Sequence, residues 1–294
     1  MSMREDDLAR RQVQDTIRSS GMGAKLWVEQ ERRYVAPFQV FGPLWYVGDN
    51  HCCPHLLDTG EGLILFDAGN AGAEAMLIQT IWEAGFNPRD VKWMIISHGH
   101  VDHVGAAMFF RRMFGTKIYI GKPDADVARE HPELWLMQES TSILDDVFTA
   151  DVEIEDGDVL NFGPVEITFR TVPGHTPGAL AWFYNISDGT RTCRVGYYGG
   201  FGFNTLQKKY LLEIGDTKFE TRQTYLDSLA KVRNEHVDIF MPNHVNNTDI
   251  VNKAAWRQAH PDAPNPHIDP ELWGKYLDQK REDLLKLMAD PAQN

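Results

Sequence analysis

The chain runs to 294 residues, enough for one large α/β domain or two small ones with a sizeable core. At 43% hydrophobic and 24% charged it has ordinary globular composition, which excludes a mostly disordered chain. Its 29 basic and 42 acidic residues leave a net charge of −13, and that argues against nucleic-acid and membrane partners, because both present negative surfaces.

Residues 1–30 are polar and charged, with no apolar stretch resembling a signal peptide, so a cytoplasmic protein is expected. Within them, residues 4–18 carry Leu8, Val13 and Ile17 at near-helical spacing and predict an amphipathic helix that packs on the body or on a partner. Residues 44–47, 55–57 and 63–66 are short apolar or β-branched runs cut by turn residues, which predicts an antiparallel meander. Residues 72–85 predict a helix with Met76, Leu77, Ile81 and Trp82 on one face, closed by Gly85. A buried strand follows at 92–97, a helix at 103–113 and another strand at 117–120. Residues 123–149 interrupt this succession, and Trp135 within them is either core or part of a substrate flap. Short strands return over 152–186. A helix at 219–233, a strand at 237–241, a connector stiffened by Pro261, Pro264, Pro266 and Pro270, and a helix at 270–288 complete the chain. Strands, βα units, strands and βα units again suggest two similar halves: an α/β sandwich of sheets with helices outside. Trp45, Trp82, Trp93 and Trp182 sit in apolar segments and are assigned to the core.

Cys52 and Cys53 are adjacent and Cys193 is distant, so no disulfide framework is indicated. A zinc-binding cysteine pair normally has two to four residues between its members. The adjacent pair is therefore read as two small half-buried residues at a strand end. His51 and His55 nearby are read as surface or packing residues rather than chemical ones. His131, His236, His260 and His267 lie near charged residues or prolines and are read as solvated.

The strongest signal is His98-Gly99-His100-Val101-Asp102-His103, directly after the strand at 92–97. Three imidazoles and a carboxylate within six residues concentrate metal ligands. On an extended loop His98 and His100 splay to one side, while Asp102 and His103 fall on the next bend. One loop can thus serve two cations, as two-metal hydrolysis requires. Zinc suits such donors, with iron or manganese as alternatives.

This segment resembles the HxHxDH motif of the metallo-β-lactamase superfamily. Three further landmarks follow that family's order: 63–69 ending in Asp67-Ala68-Gly69, 173–178 containing Pro173-Gly174-His175-Thr176, and Pro242-Asn243-His244. The resemblance covers about residues 37–246 and implies an αββα sandwich. It implies that His98, His100 and His175 hold one zinc ion and that Asp102, His103 and His244 hold a second. Asp67 would orient the histidine loop, or merely form the turn before Gly69; Thr176 would support the same surroundings. Asp102 would also orient and deprotonate the nucleophile.

The stretch 194–201 lacks the bridging aspartate that most hydrolases of the superfamily carry, and Asp188 reads as turn chemistry. That absence makes glyoxalase-type and persulfide-dioxygenase-type sites less favoured and resembles the third subclass of metallo-β-lactamases. Instead of that subclass's serines, this chain has Gly199-Gly200-Phe201-Gly202-Phe203-Asn204-Thr205-Leu206, whose polar members Asn204 and Thr205 are candidate substrate contacts, as is Trp135. The glycines either flex to shape the pocket wall or allow close packing. The implied organisation is a helical extension at 1–33, a catalytic domain at 34–260, and a connector and helix at 261–294 belonging to the same domain. The implied function is a zinc-dependent hydrolase that opens a cyclic amide in a small-molecule substrate. A lactonase or esterase on the same site is the alternative, and an iron-dependent redox protein a further one. The N-terminal helix and the last helix are candidate contacts for a homo-oligomer.

Overall fold

Two β-sheets face one another across an apolar layer and carry helices on their outer faces, in a computed structural model that describes residues 33–131 and 148–294. The first sheet runs, in spatial and chain order, β1 (Phe38–Phe41), β2 (Leu44–Tyr46), β3 (His55–Asp58), β4 (Leu63–Phe66), β5 (Val91–Ile95), β6 (Lys117–Gly121) and β7 (Val152–Ile154). Pairing is antiparallel from β1 to β4 and parallel from β4 to β7. The second sheet has the order β12 (Ile239–Met241), β11 (Thr192–Tyr198), β10 (Leu180–Ser187), β9 (Val165–Thr171) and β8 (Val159–Phe162). Only the β11–β12 pair is parallel among these.

The strand sequences dictate this layering. All four residues of β4, Leu63 to Phe66, are buried. Side chains alternate across a strand, so Ile64 and Phe66 enter the layer between the sheets while Leu63 and Leu65 enter the outer layer. In β10, likewise, Leu180, Trp182, Tyr184 and Ile186 face the other sheet, whereas Ala181 and Phe183 face the helices behind. A strand covered on both faces reads as a continuous apolar run. Trp182 stacks on Tyr197 with ring centroids 4.0 Å apart and on Phe66 at 5.4 Å, an aromatic seam through the sandwich.

The outer layer of the first sheet is closed by α1 (Glu74–Glu83), α2 (Val101–Val104), α3 (Ala107–Phe114) and α4 (Lys122–Glu130), through Leu77, Ile81, Val104, Phe110, Ala125 and Ala128. After α5 (Lys208–Glu213), α6 (Glu220–Val232) covers the second sheet with Tyr225, Leu229 and Val232. Past α7 (Val245–Thr248) and α8 (Ile250–Ala259), α9 (Leu272–Ala289) completes that layer with Trp273, Leu277 and Leu284. The residues after the connector are therefore packed into the sandwich. Among the described residues no helix is long and apolar enough to cross a membrane.

Several expectations change. Trp82 is 55% exposed, not core: at 100° per residue it lies one step beyond Ile81, on the outward flank of α1. Trp45 and Trp93 are half-buried, and Trp182 is buried. The helix expected at 103–113 is two helices. It breaks because Gly105 N–H donates to Gly69 O at 2.8 Å and Ala106 N–H to Ala68 O at 3.3 Å, outside the helical ladder. His267, read as solvated, is buried and stacks on Phe38 at 5.9 Å; His131, His236 and His260 are exposed. Residues 122–130 of the interrupting stretch form α4. The N-terminal helix expected at 4–18 and Trp135 lie outside the described residues.

Gly105 sets how closely the histidine loop approaches the turn after β4. A Cβ there would fall 2.0 Å from the backbone of Asn70 and Ala71, which cannot yield. Gly105→Ala is expected to lower the unfolding free energy by roughly 2–3 kcal/mol, read as a lower denaturant midpoint at unchanged slope. An unchanged midpoint would mean that the two loops are not held at this separation.

Candidate metal centre

β5 ends at Ile95, and the chain then turns across the strand ends of both sheets, carrying His98 and His100 into a buried corner. His175 arrives there from the loop between β9 and β10. The rings of His98 and His175 lie 4.7 Å apart, those of His100 and His175 4.6 Å, and one ring nitrogen from each of the three falls within 4.8 Å of the others. The Nε2 atoms of His98 and His100 are buried without a hydrogen-bond partner among the described residues. Burial, reinforced by the neighbouring histidines, holds both rings well below the usual histidine range. Burial likewise pushes His175 down to about 4, against the pull of its hydrogen bond to Gly202. The three imidazoles are therefore neutral at pH 7, the form that ligates metals.

Asp102 and His103, on α2, meet His244, which follows β12, beside this trio. His103 Nε2 and His244 Nε2 are 3.4 Å apart, and each lies 3.6 Å from Asp102 Oδ2. Donors around a tetrahedral zinc at ordinary bond lengths stand about 3.3–3.4 Å apart. The three atoms thus already approximate one face of such a shell. Burial disfavours the Asp102 carboxylate, but His103, His244 and His100 outweigh it and hold its pKa well below the carboxylate range. Burial pulls His103 down, and Asp102 and Asp67 reverse that and raise it.

Hydrogen bonds behind the rings decide which nitrogen faces inward. His175 Nδ1 donates to Gly202 O at 2.8 Å and His244 Nδ1 to His51 O at 3.2 Å, because a carbonyl can only accept. His103 Nδ1 donates to Asp67 Oδ2 at 2.8 Å. Ser97 Oγ gives its own proton to Asp67 Oδ2 at 2.9 Å and so accepts from His98 Nδ1 at 2.9 Å. Four imidazoles therefore turn Nε2 to the centre, as a lone pair wherever the ring is neutral. At 3.4 Å the Nε2 atoms of His103 and His244 are close enough to share one proton or one metal ion. The donor set fits a pair of metal ions.

Two buried carboxylates position these loops. Asp67 has φ +60, a left-handed conformation costly for a residue with a Cβ. It accepts from Ser97 N at 2.7 Å, Ser97 Oγ, His103 Nδ1 and the hydroxyl of Tyr197. Thr176 does not join that group. Its Oγ1 donates at 2.7 Å to Asp124 Oδ2, which also accepts from Gly99 N at 2.7 Å, while Asp124 Oδ1 accepts from Gly178 N at 2.7 Å. Asp124 thus ties the histidine loop of the first sheet to the His175 loop of the second. Burial raises its carboxyl to about 6 against those three hydrogen bonds. Nothing in Lys122-Pro123-Asp124 marks this role, because it exists only once the two sheets meet.

The glycine segment packs closely. Gly200 has φ +90, and a Cβ there would overlap the His175 ring at 2.2 Å. Thr205 is buried behind that ring, with Oγ1 3.3 Å from His175 Nδ1, whereas Asn204 is exposed on the same turn. Thr176 and Thr205 line a cavity of about 270 Å³ that extends past His175 to Tyr210 and Ile214. Asp188 closes its own turn by accepting from Thr190 and Arg191.

The cysteine pair differs from expectation. Both residues are buried, and Cys52 reaches the centre: its Sγ is 3.8 Å from Asp102 Oδ2 and 3.1 Å from His51 Nδ1. His51, Cys52, Asp102 and His244 each offer one ligand atom within 4.8 Å of the rest. The spacing rule for cysteine pairs missed this, because it assumes that both sulfurs face one ion. Burial, with Asp102 and Asp49, pushes the Cys52 thiol up, and burial pushes His51 down to about 4. His55 is a packing residue, buried edge-on against Tyr46 at 5.3 Å.

Residues 52–244 match the family model of the metallo-beta-lactamase superfamily. The hydroxyacylglutathione hydrolase GloC of Haemophilus influenzae is 30% identical over 152 residues, 51% of this chain and 68% of that protein. A probable metallo-hydrolase of Bacillus subtilis, YqgX, is 25% identical over 212 residues, 70% of this chain and 90% of that one. The crystal structure of BJP-1, a subclass B3 metallo-beta-lactamase of Bradyrhizobium japonicum, superposes with a TM-score of 0.75 at 23% identity, covering 91% of this chain and 97% of that one. Native FEZ-1 metallo-beta-lactamase from Legionella gormanii gives 0.76 at 24%, covering 87% and 97%. At those identities the likeness to solved structures is one of fold.

Asp67→Asn would set an amide N–H against donors that now share a carboxylate. It is expected to weaken metal binding about 10- to 100-fold, measured by competition with a chromophoric chelator while circular dichroism confirms the fold. Unchanged affinity would show that Asp67 does not position His103.

Proposed function

The chain belongs to the metallo-beta-lactamase superfamily and is a metallo-hydrolase; from that premise we propose that it uses two zinc ions to open a cyclic, β-lactam-like amide in a small-molecule substrate. On this reading His98, His100 and His175 hold one ion and Asp102, His103 and His244 the other, within one catalytic domain at 34–260 that residues 261–294 complete. The observation that carries it is the inward-facing Nε2 set, with three donors of the second group 3.4–3.6 Å apart.

When bound, the ions supply Lewis acidity, which acidifies a water and polarises a carbonyl. The chain's own residues do the rest. The neutral imidazoles of His98, His100 and His175 would offer their lone pairs to the first ion without a proton to displace. Asp102, an acceptor at neutral pH, orients the attacking water, takes its proton and returns it to the leaving nitrogen. Asp67 and Asp124 keep the loops from relaxing as charge develops.

A second reading, hydrolysis of a lactone or another ester, is favoured by the 30% identity to a hydroxyacylglutathione hydrolase. Against a glyoxalase-type version, Asp102 is the only carboxylate in the donor groups among the described residues. Metal analysis with a panel of chromogenic cephalosporin, acyl lactones and simple esters separates the two. Two zinc ions per chain with cephalosporin turnover is the expected result; lactone turnover alone selects the second reading.

His175→Ala is expected to lose one of the two ions and nearly all turnover, with the fold retained by thermal melting. Full metal stoichiometry in that variant overturns the assignment of His175.

A further inference from the structure

We infer that Cys52 is a thiolate ligand of the ion that Asp102 and His244 hold, so that the second ion has a sulfur donor in addition to nitrogen and oxygen. This rests on the two-metal reading above and adds a ligand to it.

The first argument is distance. A thiolate and a carboxylate oxygen on one tetrahedral zinc stand about 3.6 Å apart. Cys52 Sγ is 3.8 Å from Asp102 Oδ2, and it belongs to the group whose ligand atoms, with those of Asp102 and His244, lie within 4.8 Å of one another.

The second argument is the backbone. Cys52 forms an isolated antiparallel bridge with His244 itself. Either side of that bridge, Cys53 N–H donates to Asn243 O at 3.1 Å and Val245 N–H to His51 O at 3.2 Å. Asp49 Oδ1 accepts from both His51 N and Cys52 N at 2.7 Å, closing the loop that carries the sulfur. Cys52 is thus fastened to a ligand of the second ion by main-chain bonds, and residues paired directly across an antiparallel bridge project their side chains to the same face.

The third argument is what surrounds each sulfur. Cys53 and Cys193 are packed into the apolar layer between the sheets, whereas Cys52 belongs to none of the apolar clusters. Its polar neighbours are Asn70 Nδ2, which donates to it at 3.4 Å, His51 Nδ1 at 3.1 Å, and Asp102 Oδ2, to which the thiol, while protonated, donates at 3.8 Å. The Asn70 amide is a donor to sulfur, and the other two polar atoms are themselves metal-ligand types gathered around it.

Ligation replaces the S–H bond by a sulfur–metal bond and releases the thiol proton to solvent when the second ion binds. A thiolate in the shell favours zinc over manganese or magnesium and makes the second ion the thiol-sensitive one.

The test uses the full chain loaded with two equivalents of cobalt(II) in place of zinc. The unmodified protein and Cys53→Ser should both show a thiolate-to-cobalt charge-transfer band in the near ultraviolet. In Cys52→Ser that band should vanish while the visible ligand-field bands remain, and zinc competition should show one ion bound at least about 100-fold more weakly. Ligand-field bands with no charge-transfer band in the unmodified protein overturn the inference and leave the metal reading intact. So does a charge-transfer band that survives Cys52→Ser. Failure to take up cobalt at all removes both. Should Cys52→Ser not fold, a band that persists in both Cys53→Ser and Cys193→Ser assigns the sulfur to Cys52, and its loss in either overturns the inference.

Discussion

The buried Asp67 carboxylate is the constraint on which the centre depends. A carboxylate without water is costly unless its lone pairs are filled, and here Ser97, His103 and Tyr197 fill them. Those partners come from the loop after β5, from α2 and from β11. One side chain therefore fixes the histidine loop against both sheets. The left-handed backbone at Asp67 aims the carboxylate inward, and Ala68 N, donating to His103 O at 2.7 Å, holds the same turn against α2. The strain at one residue is offset by hydrogen bonds that need that conformation. Asp124 does the corresponding work across the sandwich, where Gly99 and Gly178 share its oxygens.

This scaffold settles protonation as well as position. Each imidazole of His98, His103, His175 and His244 spends Nδ1 on an acceptor behind it, which leaves Nε2 as a lone pair. Choosing the tautomer in advance removes a reorganisation that binding would otherwise have to drive. The acceptors differ in kind. His103 has a carboxylate behind it, and His175 and His244 have neutral carbonyls. His103 is therefore the more basic donor, and burial dominates at His175 and His244.

Legibility in the sequence followed the range of the interactions. The run His98 to His103 stands out because four ligands lie within six residues, and β4 and β5 stand out because apolar strands covered on both faces leave no polar alternation. His175 and His244 could be found because Gly and Pro mark strand ends. Residues whose role is created by a distant partner could not be found. Asp124 meets Thr176 and Gly178 more than fifty positions away, and Cys52 meets Asp102 from another loop of its own sheet and His244 across the sandwich. Trp82 misled for a different reason. Hydrophobicity names a candidate for burial, while the 100° step of the helix decides which candidate faces inward.

The two halves of the chain contribute unequally to each donor group. His98, His100, Asp102 and His103 come from one loop of the first sheet, and His175 and His244 from two loops of the second. Neither group is complete until the sheets have packed through Phe66, Trp182 and Tyr197. On the proposed reading, ions therefore bind the native arrangement and not the unfolded chain, so their binding energy adds to folding stability by mass action. The same coupling explains why the centre sits at the strand ends, where both sheets can deliver loops to one point. It also explains why its anchors are buried carboxylates. An apolar anchor would fill space there, but it would hold no imidazole in a chosen tautomer.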